Sequence, residues 1–169
     1  IAKKYLNKKF LNLNVKMKPN ITLLLSHRSS EKMPFSSIKL NDKMISWISY
    51  ENSKKRYIAK NNYWTVQTSL QYSQKIINKY KSRKNFYSGQ IKKKFSNILG
   101  IKYNKLQTVK IHGWKYSYNF DNTNQDCYWD PKKNIGLCGD WFIGSNAESA
   151  WLSANKLFER IKKNPPNKN

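Results

Sequence analysis

The longest apolar run in this chain, Ile21 to Leu25, is short and already contains Thr22. A membrane helix needs about 20 apolar residues, so the sequence offers no spanning segment, and any core has to be assembled from short pieces. The material for that core is aromatic: six Trp, eleven Tyr and seven Phe among 169 residues. So much ring surface excludes a disordered tail. The length suits one domain with a real core, or part of a larger protein.

Charge is the second constraint. Lys and Arg number 33 against 9 Asp and Glu, a formal net charge of +24. Clustered cations bind phosphate without sequence preference, which invites a nucleic-acid reading. Arg, the residue suited to planar bidentate recognition, occurs only at Arg28, Arg56, Arg83 and Arg160. The lysines are spread along the chain and travel with Asn, Ile and Tyr, as an A/T-rich coding sequence would produce. Compositional drift and a functional basic face both remain open. Cys127 and Cys138 lack CxxC spacing, and neither His27 nor His112 sits at zinc-ligand spacing from them; two reduced thiols in a cytoplasmic protein are expected. The opening IAKKYLNKKF has no apolar signal region and does not begin with Met, which suggests a piece of a longer protein.

The pattern along the chain predicts an α+β fold. After a basic segment, 1–19, Asn20–His27 reads as a strand buried on both faces. Met44–Tyr50 and Tyr63–Ser69 read as further strands. Leu70–Arg83 switches to helical spacing, with Leu70, Ile76, Ile77 and Tyr80 as its stripe. Ser88–Leu99 reads as a second helix ended by Gly100. Leu106–Asn119 is strand-like, interrupted at Gly113. An Asp/Asn/Thr loop leads to a short strand, Ile135–Cys138, a turn and a final helix, and the tail after Arg160 has a disordered composition. The expected organisation is mixed or antiparallel strands with two helices over 1–119, a strand–turn–helix segment over 120–162, and a tail at 163–169.

The sharpest local pattern is in the last third. A strand ends at Gly139, Asp140 follows at a turn, and Gly144 permits a close approach. Ser145 with Glu148 matches a capping box. Ala147, Ala150, Trp151, Ala154, Leu157, Phe158 and Ile161 then fall on one helical stripe, expected to be buried. Exposed amides and the positive end of this helix suit an anionic or electron-accepting ligand. An ordinary strand–turn–helix with a turn-stabilising Asp reads equally well from these residues.

The stretch Gly139-Asp140-Trp141 through Glu148, Ala150 and Ser153 resembles the C-terminal flavin-binding segment of FAD-dependent amine-oxidase-like proteins, in their renalase-like branch. Three upstream blocks resemble that branch in the same order. They are His112-Gly113-Trp114-Lys115-Tyr116; Ile45-Ser46-Trp47-Ile48 with Ser53-Lys54; and Trp64–Ser69 with Tyr72-Ser73. Together the blocks span about residues 20 to 160. The resemblance implies an oxidoreductase with non-covalent FAD acting on a small-molecule substrate, and it admits NAD(P)H as reductant or substrate. By the same resemblance, Gly139 and Asp140 approach the ribityl–pyrophosphate part of FAD. Asn146, Ala147 and Glu148 approach the pyrimidine edge of the flavin ring. Trp114 would lie near the flavin or substrate cavity; a core aromatic is its other reading. No catalytic side chain is assigned, because the flavin carries the chemistry.

The departures bear on the site. The family's Arg between His and Trp is Gly113 here, two helix glycines are Ser149 and Ala154, and the family's Ser-Lys-Pro-Gly-Arg loop reads Ser53-Lys54-Lys55-Arg56-Tyr57. The family holds the ADP half of FAD with a Gly-x-Gly-x-x-Gly turn on a βαβ unit. None of Gly89, Gly100, Gly113, Gly136, Gly139 and Gly144 makes that pattern. The expectation is therefore a C-terminal part whose partner is a missing N-terminal FAD-binding half. Two other readings stand beside it: a basic single-strand nucleic-acid-binding module using Lys for phosphate and Trp/Tyr for stacking, and a non-catalytic remnant of the flavoprotein fold.

Overall fold

The computed structural model describes residues 15–56, 60–119 and 125–166. Most of the basic opening segment, Tyr57 of the Ser53–Tyr57 loop, residues 120–124 of the Asp/Asn/Thr loop and 167–169 of the tail lie outside the described residues. The chain divides into two compact units. One is Pro19–Ser117; the other takes the described residues before Pro19 and from Tyr118 onward. The class is mixed α+β, and among the described residues no helix is long and apolar enough to cross a membrane.

The larger unit is built on strands β1 (Met17–Arg28), β2 (Ser37–Lys39), β3 (Ile45–Tyr50), β4 (Asn61–Thr68) and β5 (Gln107–Asn119). They lie in the order β2-β3-β4-β1-β5, with β2–β3, β3–β4 and β1–β4 antiparallel. Strict alternation in β4 buries Asn62, Trp64, Val66 and Thr68 and leaves Tyr63, Thr65 and Gln67 half-buried, as a sheet covered on one face requires. Register places Leu25 and Tyr50 on either side of Trp64. The covering layer is helix α1 (Leu70–Ile76) and helix α2 (Lys84–Leu99), whose Ile76, Tyr87, Ile91 and Phe95 join Ile21, Leu23, Ile48 and Trp64 in one core.

Several boundaries differ from the sequence expectation, each for a local reason. β1 begins at Met17, inside the segment read as basic and polar. It buries Ile21, Leu23 and Leu25 completely, but Thr22 and Leu24 only in part, so it is covered on one face rather than two. α1 is capped by Ser69, whose hydroxyl accepts from the Tyr72 amide at 3.2 Å, and it stops at Ile76 rather than Arg83. β-Branched Ile76 and Ile77 followed by Asn78 are weak helix formers, and the turn that follows swings Tyr80 into the core. α2 starts at Lys84, before Ser88, and ends as expected at Gly100, which has φ 69°. β5 passes Gly113 without a break. A Cβ there would lie 2.5 Å from the Tyr80 ring, so this glycine is a packing requirement and not a strand breaker.

Polar contacts fix these elements. Asp42 Oδ1 accepts from the Met44 and Ile45 amides at 2.8 and 3.0 Å, and its other oxygen pairs with Lys94 at 2.7 Å, tying the start of β3 to α2. Burial pushes this carboxyl up, but the Lys94 ammonium and the two amides outweigh it and hold it below the usual carboxylate range. At the core centre the Trp64 indole donates to His27 Nδ1 at 3.1 Å, which requires a neutral imidazole. Burial, then the positive charge of Lys105, lowers the His27 pKa below 6.5, with Glu31 opposing.

A lowered folded-state pKa means that the unfolded chain takes up the proton first as pH falls. The His27 contribution to stability is therefore complete above about pH 6.5 and lost progressively below it. Urea unfolding between about pH 7.5 and about pH 5 is expected to show this loss. The variant His27→Gln, which keeps an acceptor but cannot titrate, is expected to flatten that part of the profile. An unchanged slope in the variant would remove His27 from the account.

Candidate functional site

In the smaller unit, β6 (Tyr128–Asp130) and β7 (Ile135–Leu137) form an antiparallel pair. β6 was not expected from the sequence. Asp130 Oδ1 accepts from the Lys132 and Lys133 amides, and Asn134 takes a left-handed φ of 53° to close the turn. Beyond Gly139, Asp140–Ile143 forms a one-turn helix, α3, where a bare turn was expected. The final helix, α4, runs Ala147–Lys163, past the Arg160 at which the tail was expected to begin.

The corner between α3 and α4 holds most of the residues singled out in the sequence. Asp140 Oδ1 accepts from the Trp141 amide at 2.9 Å, and the Gly144 amide donates to the Asp140 carbonyl at 2.8 Å. The Trp141 and Phe142 rings stack with centroids 3.9 Å apart, and Phe142 packs with Tyr128 as the small unit's buried pair. A Cβ on Gly144 would lie 2.5 Å from Ser149 Oγ, so glycine lets α3 close down on α4. Ser153, fully buried, accepts from the Gly139 amide at 3.1 Å and donates to the Asp126 carbonyl at 2.5 Å. One hydroxyl thus holds the Gly-Asp turn, the approach to β6 and α4 together.

The cap of α4 differs from expectation by one residue. Asn146, not Ser145, is the N-cap, and its Oδ1 accepts from the Ser149 amide at 2.8 Å. Asn caps as well as Ser does, and Glu148 is left out of any box. Helix geometry leaves the first N–H groups without intrahelical partners. With the Ser149 amide taken, those of Ala147 and Glu148 open at an exposed helix start.

The stripe expected to be buried is largely outside. Ser149 and Ser153 form the buried face of α4, whereas Ala147 and Ala154 are exposed, and Trp151 and Phe158 are 65% and 55% exposed. Ala150, Leu157 and Ile161 are half-buried, and the Leu157 methyls lie 3.0 Å from where a Gly136 Cβ would stand. The heptad-like apolar spacing is present, but within this unit the inward face is the hydroxyl one.

Gly139, Asp140, Asn146, Ala147 and Glu148 therefore share one corner. Trp114 belongs to the larger unit, on β5, and is not a core aromatic. It is 53% exposed, with its ring edge-on to His112 at 4.5 Å. Thr22, Leu24, Lys110, His112 and Trp114 line a shallow cavity of about 300 Å³ on the face of the sheet away from α1 and α2. Trp47 and Tyr116 are also exposed. The sequence reading named Ser149 and Ser153 but not their inward-facing role; their i, i+4 spacing on a helix of mixed polarity was the available signal.

Among the described residues, no group of three His, Cys, Asp or Glu side chains could hold a metal ion. Both cysteines are free; Cys127 is buried, which pushes its thiol pKa up, and Cys138 is exposed. No family model matches the chain.

Replacing Ser153 with Ala removes both bonds, one to the half-buried Gly139 amide and one to the carbonyl of exposed Asp126. It is expected to cost about 1–3 kcal/mol and to raise hydrogen exchange at the Gly139 amide while core amides of β4 stay protected. Unchanged protection at Gly139 would show that Ser153 does not hold the turn.

Proposed function

We propose that this chain is the C-terminal, flavin-facing part of a renalase-like FAD-dependent oxidoreductase, working with a dinucleotide-binding half carried outside these 169 residues. The observation that carries the reading is the α3–α4 corner. It is the block whose sequence resembles the flavin-binding segment, and it presents the Ala147 and Glu148 amides at an exposed, small-residue helix start. A flat, electron-accepting ring edge suits such a start because amide donors and the helix dipole favour developing negative charge there. Exposed Trp151 and Phe158 fit a helix that completes a larger domain, since apolar patches of this kind mark contact surfaces.

The residues present fit the flavin end of the cofactor only. Asn146 sets the helix start, Ser153 holds the Gly139 amide, Gly144 lies close against Ser149, and Asp140 keeps one carboxylate oxygen outside its contact with Trp141. The chain has no Gly-x-Gly-x-x-Gly turn for the ADP end. FAD, when bound, supplies hydride acceptance. By the resemblance alone, Trp114 is associated with the flavin or substrate cavity.

A second reading draws on that same open face. Exposed Trp47 pairs across strands with Lys39, and exposed Trp114 and Tyr116 follow Lys110 along β5, an arrangement that suits base stacking with phosphate contacts.

One set of measurements separates the two readings. Protein made from the full reading frame is expected to retain flavin, visible in its absorption spectrum. Ala147→Glu, which a first helical turn tolerates, is expected to lower flavin affinity at least about tenfold by filling the approach. The 169-residue chain alone is expected to retain little. A colourless full-length protein, together with salt-dependent binding of a single-stranded oligonucleotide that Trp114→Ala weakens, would replace the first reading with the second.

A further inference from the structure

The larger unit contains a cleft that neither functional reading uses. It lies between the chain leaving β1 and the described parts of the β3–β4 connection, residues 51–56 and Lys60, with a volume of about 720 Å³, within the range of small-molecule sites. Its rim carries four cations, Lys32, Lys55, Arg56 and Lys60, and no carboxylate lines it. We propose that this cleft binds a small phosphate-bearing anion. The proposal stands independently of the flavin reading.

Three observations support it. The first is that the floor is built from directional bonds. Asn52 ties the loop to β4 in both directions, its Nδ2 donating to the Asn61 carbonyl at 2.9 Å and its Oδ1 accepting from the Tyr63 amide at 2.8 Å. Ser53 Oγ donates to the Tyr50 carbonyl at 2.7 Å. The buried Tyr50 hydroxyl donates to Asn62 Oδ1 at 2.9 Å, and Asn62 Nδ2 reaches across to the Glu31 carbonyl at 2.9 Å. The cations are thus mounted on a cross-linked base, which limits the ordering cost of binding.

The second observation is that the rim cations take part in no ion pair among the described residues, although Glu31, exposed, lies between Ser30 and Lys32 of the lining. Between Glu51 and Asp121 the sequence has no carboxylate at all. The ion pairs among the described residues are Lys54–Glu51 and Lys94–Asp42, and neither uses a rim cation. Like charges gathered on a concave surface raise its potential and attract an anion. The third is local geometry. Lys55 ends its turn in the left-handed region at φ 51°, a conformation that non-glycine residues adopt at a cost and that clusters at binding sites. Arg56 beside it adds the planar fork that grips two phosphate oxygens. Ser29 Oγ accepts from the Glu31 amide at 3.1 Å, which leaves its own proton for a ligand oxygen. The volume of the cleft suits a small ligand better than a nucleic-acid strand.

Calorimetric titration of the 169-residue chain with pyrophosphate, 5′-AMP and adenosine, at roughly physiological ionic strength, tests the proposal. Saturable binding of pyrophosphate or 5′-AMP is expected, with none for adenosine. The relative affinities of pyrophosphate and 5′-AMP tell an inorganic from a nucleotide source. The double variant R56Q/K60Q is expected to weaken binding at least about tenfold, while K93Q/K156Q, which removes the same charge elsewhere, leaves it nearly unchanged. If R56Q/K60Q does not fold, as judged by near-ultraviolet circular dichroism, K60Q alone decides, with an expected loss of about threefold or more. Equal weakening by both double variants would reduce the effect to bulk charge and overturn the site. So would an absence of saturable binding, or binding of a single-stranded oligonucleotide but of neither phosphate probe.

Discussion

The larger unit depends on the seat of one side chain, Trp64. It is almost fully buried, flanked in register by Leu25 and Tyr50, with the Tyr50 ring centroid 4.9 Å away and Phe95 meeting it edge-on at 5.3 Å. An indole so deep must hydrogen-bond its N–H, and His27 supplies the acceptor. One residue thereby joins three strands and a helix, and it couples that junction to the protonation state of an imidazole. The rest of the core, from Ile21 to Ile91, fills space around this arrangement.

How much of this was legible in the sequence follows from which forces set each element. β3 and β4 read correctly because both alternate or carry large residues that only a pleated, half-covered surface accommodates. α2 was legible through its apolar spacing and Gly100. The end of α1 was not, because Tyr80 is held by a partner distant in sequence: it fills the space that Gly113 leaves open on β5. β6 was invisible because so short a strand has no periodicity of its own and exists through its pairing with β7.

The candidate site was legible in a different sense. Gly139, Asp140 and Gly144 stood out as a turn, and the structure explains the glycines by close approaches to Trp141 and Ser149. The orientation of α4 was misread. Its apolar spacing implied an inward stripe, yet two serines face inward and Trp151 and Phe158 face out. Periodicity identifies a face; it does not say which partner covers it. The phosphate cleft was unreadable for a related reason. Lys32 and Lys60 are distant in sequence, and the hydrogen bonds of Asn52 and Asn62 bring them to one rim.

The long outer strand gives the chain's charge a further meaning. Among the described residues β5, thirteen residues long, ends the five-stranded sheet, and such an edge is a template on which another chain's strand can add. Its partner at the opposite edge, β2, is only three residues long and offers little to copy. Lys110 and Lys115 sit within β5, where an approaching copy would set like charges against each other. Like charges at these positions oppose the addition of a second copy's strand along this described edge.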